Sequence, residues 1–346
     1  MISMVEYIWL DGSLPVTQIR SKTRVINLDN KPTIADLPEW SFDGSSTNQA
    51  TGSDSDCILK PVSLVVDPLP DGGDYVVLCE VYNPDDTPHT TNSRAKLRAA
   101  LDASANDTDA WFGFEQEYTM FQDNIPLGWP THGYPAPQGP YYCGVGSEQI
   151  FGRELAMEHA HACIDAGLIY YGLNAEVMPG QWEFQIGYRG TDAEDAGALN
   201  ITDHTWIARW LLHRLGESHD IHISLANKPV KGDWNGAGMH TNFSTKAMRD
   251  PKTGKQAIDV ALEKLKHKHD EHIASYGDKL EERLTGQHET SSINEFSAGQ
   301  AHRGCSIRVP RMVADKGYGY LEDRRPGANA DPYVVAAKLI ATICNI

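Results

Sequence analysis

Six side chains that can bind metal ions constrain this chain more than any other feature, because they stand in segments that are otherwise apolar or rich in glycine. Carboxylates in such surroundings are costly to bury unless positive charge meets them. Five glutamates and one histidine have the composition of a paired divalent-cation site, and the fold must then bring four distant segments together. The side chains are Glu115 and Glu117 in WFGFEQEY (111–118), Glu176 and Glu183 in NAEVMPGQWEFQ (174–185), His240 in NGAGMHTNFS (235–244) and Glu322 in YLEDRRP (320–326).

The spacing of these residues supports a shared site. Alternate residues of a strand lie on one face, which predicts that Glu115 and Glu117 project together. The second segment predicts a hairpin around Pro179–Gly180, in which Glu176 faces Glu183. Like charges directly opposite each other destabilise a sheet, and a cation between them removes that cost. The alternative is a set of exposed glutamates on solvated strands, which is less favoured for four segments that place acids beside Trp, Phe and Gly.

Length and charge limit the class of protein. A chain of 346 residues can form two domains or one large one. The net charge of −17 argues against nucleic acid or an anionic membrane as a partner. The six cysteines are scattered without CxxC spacing, which favours free thiols. No signal peptide or apolar run of membrane-spanning length is evident, so we expect a cytoplasmic protein.

The order of the segments predicts two domains of α+β class. Alternating apolar segments separated by Gly, Pro and Asp predict a strand-rich region up to residue 82, followed by a polar linker. We place a small β-rich domain at 1–88 and a larger α+β domain at 93–346. Predicted helices cover 147–166, 203–215 with Thr202 or Asp203 as cap, 255–284, and a final helix capped by Asp331 with Pro332 in its first turn.

A cluster of arginines accompanies the acids in the C-terminal part of the chain. Arginine is the usual partner for bidentate contact with carboxylate or phosphate, and metals beside arginines suit phosphoryl transfer from a nucleotide. Surface salt bridges are the alternative for one or two of them. The chain has no GxxxxGK[ST] loop or kinase signature, and HKHDEH (267–272) is assigned to the polar side of a surface helix. The arginines are Arg283, Arg303, Arg308, Arg311, Arg324 and Arg325.

Long motifs along nearly the whole chain resemble type II glutamine synthetase. They are EYIWLDG, PEWSFDGSST (38–47), WFGFEQEY, NAEVMPGQWEFQIG, GDWNGAGMHTNFS, RLTGQHETSSINEFSAG (283–299), SIRVPR and EDRRPGANADPY. The resemblance implies an N-terminal β-grasp domain and a catalytic domain in which antiparallel strands, flanked by helices, form a funnel-shaped site. It also implies a decamer of two stacked pentameric rings, in which the small domain of one subunit closes the site of its neighbour.

The resemblance also implies a role for each motif residue. Glu117, Glu176 and Glu183 would bind one divalent ion, and Glu115, His240 and Glu322 a second, in a site that takes two to three Mg²⁺ or Mn²⁺ ions with ATP. Asn235, Gly236, Arg283 and Arg324 would hold substrate glutamate. Arg303 and Arg308 would contact phosphates, while Trp111, Asn242 and Ser244 would line the nucleotide site.

The reaction implied by the resemblance forms glutamine from glutamate, ammonium and ATP through γ-glutamyl phosphate. Asp43 would bind and deprotonate ammonium near Ser46 and Tyr142 (or Tyr141), and Glu289 would close over the intermediate. The stretch 186–204 is longer and more acidic than this type leads us to expect, and Lys231 and Gln287 also depart from it.

Three other functions are weighed against glutamine synthesis. A γ-glutamylamide synthetase that uses a larger amine would need a more open site, and Asp43 argues for ammonium. A non-catalytic structural relative should have lost ligands that are present here. A metal-binding or nitrogen-sensing partner protein could coexist with catalysis. Glutamine synthesis is favoured over all three.

Overall fold

The computed structural model describes residues 1–104 and 108–346, which form two β-sheets and several helices. The first sheet contains β1 (Ile2–Leu10), β2 (Ile19–Asn27), β3 (Trp40–Asp43), β4 (Asp56–Val66) and β5 (Tyr75–Tyr82). The second contains β6 (Trp111–Gln122), β7 (Ile125–Pro126), β8 (Tyr170–Ala175), β9 (Gln181–Gly187), β10 (His222–Ser224), β11 (Met239–Ser244), β12 (Ala298–Gln300), β13 (Ile307–Val309) and β14 (Leu321–Asp323).

The first sheet has the strand order β2-β1-β5-β4-β3, with β1 and β5 parallel at its centre. These two strands are apolar on both faces, as is usual for a central parallel pair. Tyr7 and Val77 belong to a core that lies within this sheet and its loops. Ile8 and Val76 point the other way and join the main core of the protein. The small sheet is therefore packed against the rest of the chain.

The second sheet has the order β12-β13-β14-β11-β6-β9-β8, with β7 and β10 also paired to β6. Neighbouring strands in this sheet are antiparallel, except for β12 and β13, which are parallel. The long strand β6 is central, and its apolar side chains Phe112, Phe114 and Tyr118 are buried in the main core. The residues of β6 that alternate with these therefore face away from that core. The candidate site lies on their side of the sheet.

The described residues contain eight α-helices, and sheets and helices together confirm the predicted α+β class. No helix in the described ranges is long and apolar enough to cross a membrane. The helices are α1 (Ser93–Ala103), α2 (Arg153–Asp165), α3 (Ala198–Ser218), α4 (Lys246–Arg249), α5 (Gly254–His267), α6 (His269–Ile273), α7 (Arg311–Lys316) and α8 (Pro332–Cys344).

The last helix matches its prediction, whereas two others begin at a different residue. Asp331 caps α8 by accepting from the N–H of Tyr333. Helix α3 begins at Ala198, so the acidic stretch is a loop only over 188–197. Thr202 is not its cap: its hydroxyl lies inside the helix and donates to the carbonyl of Ala198. Helix α2 also begins later than predicted, at Arg153.

The helix predicted over 255–284 is broken into α5, α6 and a short 3₁₀ turn. The HKHDEH segment is only partly on the surface: His269 and His272 are buried, whereas its other four residues are exposed as predicted. His272 is within hydrogen-bond distance of the Tyr276 and Thr342 hydroxyls. The bond to Thr342 of α8 is a tertiary contact, which the local sequence pattern does not indicate.

Candidate functional site

The strands around β6 align five of the six predicted metal ligands on one face of the second sheet. Glu115 lies directly opposite His240 of β11. Glu117 lies directly opposite Glu183 of β9. Glu322 lies on the next strand, β14, directly opposite Asn242, which shares a face of β11 with His240. Because cross-strand neighbours lie on the same face, residues far apart in the sequence converge here.

The hairpin between β8 and β9 has a different register from the predicted one. Asn174, and not Glu176, lies directly opposite Glu183. The turn takes up residues 177–180, because the backbone N–H of Glu176 already pairs across the hairpin with the strand after the turn. The like-charge pair expected inside this hairpin lies instead between Glu183 and Glu117.

Potential ligand atoms gather in two overlapping groups, each with its atoms within 4.8 Å of one another. The Nδ1 atom of His240 is 3.5 Å from a carboxylate oxygen of Glu115 and 3.7 Å from one of Glu322. The donor set, carboxylate oxygens with one imidazole nitrogen, fits a hard divalent cation. The second group has His240 where the predicted set has Glu176. The first group is Glu115, His240 and Glu322, and the second group is Glu117, Glu183 and His240.

The buried carboxylates repel one another. Burial, followed by the charge of Glu117, raises the pKa of Glu176 to about 8. Burial, followed by the charge of Glu115, raises the pKa of Glu183 well above its usual range. Carboxyl groups placed this way resist ionisation unless a cation lies among them. The electrostatics therefore match a site that binds divalent metal ions.

His240 is held neutral in this surrounding. Burial, and next the charge of Arg324, lowers the pKa of His240 well below its usual range. The Nη2 group of Arg283 lies 3.1 Å from its Nε2 atom. A neutral imidazole keeps a nitrogen lone pair, which a metal ligand requires.

Arginines meet the carboxylates from the β13–β14 side. Glu322 is almost fully buried and accepts from Arg308 at 2.6 Å and from Arg324 at 2.5 Å. Arg283 is also buried, which lowers the pKa of its guanidinium to about 10. Arg303 contacts this arginine cluster through its backbone carbonyl, which accepts a hydrogen bond from Nε of Arg324 at 2.7 Å. These cations leave further N–H groups for an anionic ligand.

Two glycines make room for Arg283. A Cβ atom at Gly238 would lie 2.3 Å from Nη2 of Arg283, and one at Gly236 would lie 2.8 Å from its Cγ. The N–H of Gly238 also donates to the carboxylate of Glu117. Asn235 donates to Gln181 at 3.0 Å. The predicted glutamate-binding residues Asn235 and Gly236 therefore lie beside Arg283.

A cavity of about 500 Å³ opens at the end of β6, next to the acidic cluster. The ring of Trp111 packs against Tyr188 at 4.9 Å, and the Arg249 guanidinium lies over it at 4.1 Å. Aromatic walls with nearby polar groups suit a planar ligand. Arg303 and Arg308 are outside the lining in the described structure. The lining includes the predicted residues Trp111, Asn242 and Ser244, together with Glu115, Tyr188, Arg249 and Tyr320.

Glu289 and Tyr142 lie in exposed segments beside the cluster. Glu289 has a φ of 59°, which is a strained conformation for a residue other than glycine. Its carbonyl accepts from Arg324 at 3.4 Å, and its charge contributes to the raised pKa of Glu176. Tyr142 is 55% exposed. Its pKa is raised by burial first and also by Glu176, so both segments border the acidic site.

Asp43 lies in the first sheet and Ser46 in the turn that follows it. Among the described residues, neither side chain forms a hydrogen bond with the acidic cluster. Asp43 is exposed and accepts from the Ser45 hydroxyl at 2.6 Å and the Ser46 hydroxyl at 2.7 Å. These bonds, led by that from Ser45, lower the pKa of Asp43. Among the described residues, its side-chain hydrogen bonds all come from this turn, so the carboxylate presents an exposed negative charge.

Several supporting residues were not predicted from the sequence. Gln185 donates to Glu183 at 2.7 Å, and Asn174 donates to Glu176 at 2.9 Å. Each stands two positions from its glutamate, so strand alternation could have indicated them. Arg249 carries no such signal, because it reaches Trp111 from a separate helix.

The fold and this sheet face define a class of protein: a two-sheet α+β protein in which potential ligands of a divalent cation lie next to arginines and an aromatic cavity. Comparison with known proteins narrows the class. Residues 1–84 match the family model described as glutamine synthetase, beta-Grasp domain, and residues 90–267 match glutamine synthetase, catalytic domain. The chain belongs to the glutamine synthetase family, which confirms the predicted resemblance and the two domain types.

Full-length relatives agree with the family models. The chain is 53% identical to a chloroplastic glutamine synthetase of Chlamydomonas reinhardtii, over 98% of this chain and 90% of the relative. It is 52% identical to a glutamine synthetase of Streptomyces viridochromogenes, over 100% and 98%. It is 51% identical to that of Saccharomyces cerevisiae, over 99% and 89%. The family uses ATP and divalent metal ions, with which the donor groups found here are consistent.

Proposed function

We propose that this glutamate–ammonia ligase makes glutamine, ADP and phosphate from glutamate, ammonium and ATP through γ-glutamyl phosphate, at the acidic face of the second sheet. The observation that carries the proposal is the strand register. It brings Glu115, Glu117, Glu183 and His240 into one cluster and sets Glu322 between two arginines. Metal-binding groups and anion-binding groups thus share one surface.

The intermediate follows from the chemistry of a carboxylate. Ammonia does not displace oxide from a carboxylate, because oxide is too poor a leaving group. Transfer of a phosphoryl group from ATP to the γ-carboxylate oxygen gives an acyl phosphate, and attack by ammonia then breaks the carbon–oxygen bond and releases phosphate. Arg283 and Arg324 are proposed to hold the substrate carboxylates, and Arg308 and Arg303 to contact phosphate oxygens.

The acidic cluster would hold two to three Mg²⁺ or Mn²⁺ ions. Glu117, Glu176 and Glu183 are proposed as ligands of one ion, and the His240 group with Glu115 and Glu322 as ligands of the second. When bound, such ions neutralise phosphate charge and orient the transferred group. Gln185 and Asn174 support the site by orienting the glutamates they contact, as outer partners of metal ligands do.

The nucleotide is proposed to occupy the cavity beside Trp111. The adenine ring would stack near Trp111 and Tyr188, while Asn242 and Ser244 supply polar contacts. Glu115 also lines this cavity, so phosphates that extend inward would reach the metal-binding cluster.

Ammonium is proposed to bind at Asp43, with Ser46 and Tyr142 as neighbours. The lowered pKa of Asp43 favours the charged carboxylate, which suits the binding of a cation. Because Asp43 is exposed on the first sheet, we propose that it completes the site of a neighbouring subunit. This proposal includes the decamer of two stacked pentamers.

Glu289 is proposed to close over the acyl phosphate and exclude water. Its strained backbone and its link to Arg324 support a segment that can change position beside the site. We also propose domains at 1–88 and 93–346 and a cytoplasmic location.

The amine dependence of the reaction tests the proposed function. Purified protein with ATP, Mg²⁺ and glutamate should form glutamine in step with phosphate when ammonium is present. Methylamine or putrescine in place of ammonium should not support turnover. Turnover with the larger amines alone would point to a γ-glutamylamide synthetase, and no turnover with any amine would contradict an enzymatic function.

Substitution of Glu289 tests the proposed closing segment. Glu289→Ala should still phosphorylate glutamate but lose phosphate to water, so phosphate release should exceed glutamine formation. Glu295→Ala, an exposed glutamate of the same segment, is the matched control and should keep the two equal. Equal rates in Glu289→Ala, at the level of the unmodified enzyme, would contradict the assignment.

A further inference from the structure

Arg209 of α3 is a buried cation directly beneath the strand that carries Glu115 and Glu117. It is 1% exposed and forms no ion pair with a carboxylate in the described part of the chain, where the charge of Asp331 acts on it without direct contact. Its guanidinium donates to Oε1 of Gln116 and to the carbonyls of Ala328 and Ala330, at 2.5–3.0 Å. A buried charge without an ion-paired anion is costly, so the groups that surround it matter: the Trp206 ring centroid lies 4.6 Å from the guanidinium, and further partners are the hydrogen-bond acceptors named above.

Gln116 connects this cation to the metal-binding strand. It stands between Glu115 and Glu117 but points to the opposite face of β6, where it is fully buried. Its Nε2 group donates to the carbonyl of Glu117 at 2.8 Å and to that of Ala328 at 3.0 Å. Arg209 and Gln116 therefore hold the backbone of a proposed ligand against residues 328–330.

The segment 326–330 directly follows Arg324 and Arg325, and it also contacts β11. The N–H of Met239 donates to the carbonyl of Pro326 at 3.0 Å, next to His240. Gly238 and Gly327 form a β-bridge. The guanidinium of Arg209 thus links β6 to segment 326–330, which in turn pairs with β11.

We propose that Arg209 is a positioning residue that holds β6 in place relative to segment 326–330, so that Glu115 and Glu117 stay aligned with His240, Glu322 and Arg324. The fork of the guanidinium reaches three carbonyl-type acceptors at once, which the single ammonium of lysine cannot reproduce. The inference rests on the proposed metal-binding function. Like other groups that orient ligands from behind, Arg209 should affect metal affinity without touching the metal.

Arg209→Lys tests the inference, because it keeps the charge and changes the hydrogen-bond geometry. We expect Mn²⁺ binding to the nucleotide-free protein to weaken about tenfold, in line with substitutions of groups that orient ligands. The KM for glutamate should rise with kcat less affected. Binding to the unmodified protein is measured first: no Mn²⁺ binding there would refute the proposed function, independently of Arg209.

Arg94→Lys is the matched control. Arg94 contacts the same helix through Asp203, with 2.8 and 2.9 Å bonds, but lies away from β6. We expect it to lower the melting temperature and leave Mn²⁺ affinity unchanged. If Arg209→Lys behaves like this control, the positioning role is refuted.

Gln116→Glu decides the matter if Arg209→Lys does not fold. It keeps an acceptor for Arg209 and removes the Nε2 donors to Glu117 and Ala328. The added negative charge would by itself favour Mn²⁺, so a loss of affinity of about tenfold would be due to lost alignment. Unchanged or tighter Mn²⁺ binding by Gln116→Glu would overturn the proposal.

Discussion

Replacing Glu176 by glutamine should stabilise the metal-free protein at neutral pH and above. Glutamine has the shape of the protonated carboxylic acid and keeps an oxygen that can accept from Asn174. Burial and the charge of Glu117 raise the pKa of Glu176 from 4.5 to about 8. The folded protein therefore retains a proton that the unfolded chain releases near pH 4.5.

The sign and size of the effect follow from this difference. Because the folded state binds the extra proton, the contribution of Glu176 to the free energy of unfolding falls as the pH rises from about 4.5 to about 8, and it levels off above that. At about 1.36 kcal/mol per pKa unit, the loss is about 4 kcal/mol at pH 8, where Glu176 is half ionised. Glu176→Gln removes the loss, so its advantage should be near zero at pH 4.5 and about 4 kcal/mol at pH 8.

Urea unfolding with a metal chelator, at several pH values from 4.5 to 8.5, measures this effect. Glu263→Gln, an exposed residue of α5, is the control and should follow the unmodified protein at every pH. Saturating Mn²⁺ should reverse the order, because metal binding to the folded state stabilises the protein with the complete ligand set. A stability difference between Glu176→Gln and the unmodified protein that does not change with pH would refute the reasoning.

Three other substitutions have distinct expected results. Gly238→Ala should displace the Arg283 guanidinium and raise the KM for glutamate at least tenfold, as steady-state kinetics would show; an unchanged KM would contradict the close packing. Trp111→Ala should weaken ATP binding several-fold by calorimetry and leave Mn²⁺ affinity intact, and equal ATP affinity would place the base elsewhere. Asp43→Asn should raise the KM for ammonium at least tenfold with the KM for glutamate unchanged; parallel changes in both would contradict an ammonium site.

The sequence could predict which site residues share a face of their strand, because strand alternation is a short-range property. The positions of Glu115 and Glu117 on one face of β6 follow from period two alone. Their partners on β9 and β11 follow from pairing between distant strands, which no local pattern specifies. The resemblance to a known family supplied that long-range information.

The hairpin register was wrong for a local reason. A Pro-Gly pair indicated a two-residue turn, but the chain makes a longer turn over 177–180, which moves Glu176 two positions along the ladder. On the β8 side Glu183 therefore faces Asn174 instead of Glu176, while Glu117 lies opposite Glu183 on β6. Turn length changes such a prediction completely, because register depends on it.

The helix predictions failed where tertiary contacts outweigh local preference. Aspartate is a residue type that often caps helices, yet Asp203 lies within α3 and forms an ion pair with Arg94. His272 was assigned to a polar face, yet its buried ring bonds to Tyr276 and Thr342. Asp203 and His272 are buried polar side chains, and the neighbouring sequence does not indicate their distant partners Arg94 and Thr342.

Transfer of an oxygen isotope tests the proposed acyl phosphate most directly. Glutamate labelled with ¹⁸O in its γ-carboxylate is incubated with the enzyme, ATP, Mg²⁺ and ammonium, and the released phosphate is analysed by mass spectrometry. If the γ-carboxylate accepts the phosphoryl group, one ¹⁸O atom should appear in phosphate for each glutamine formed. Glutamine formed together with unlabelled phosphate would contradict the account.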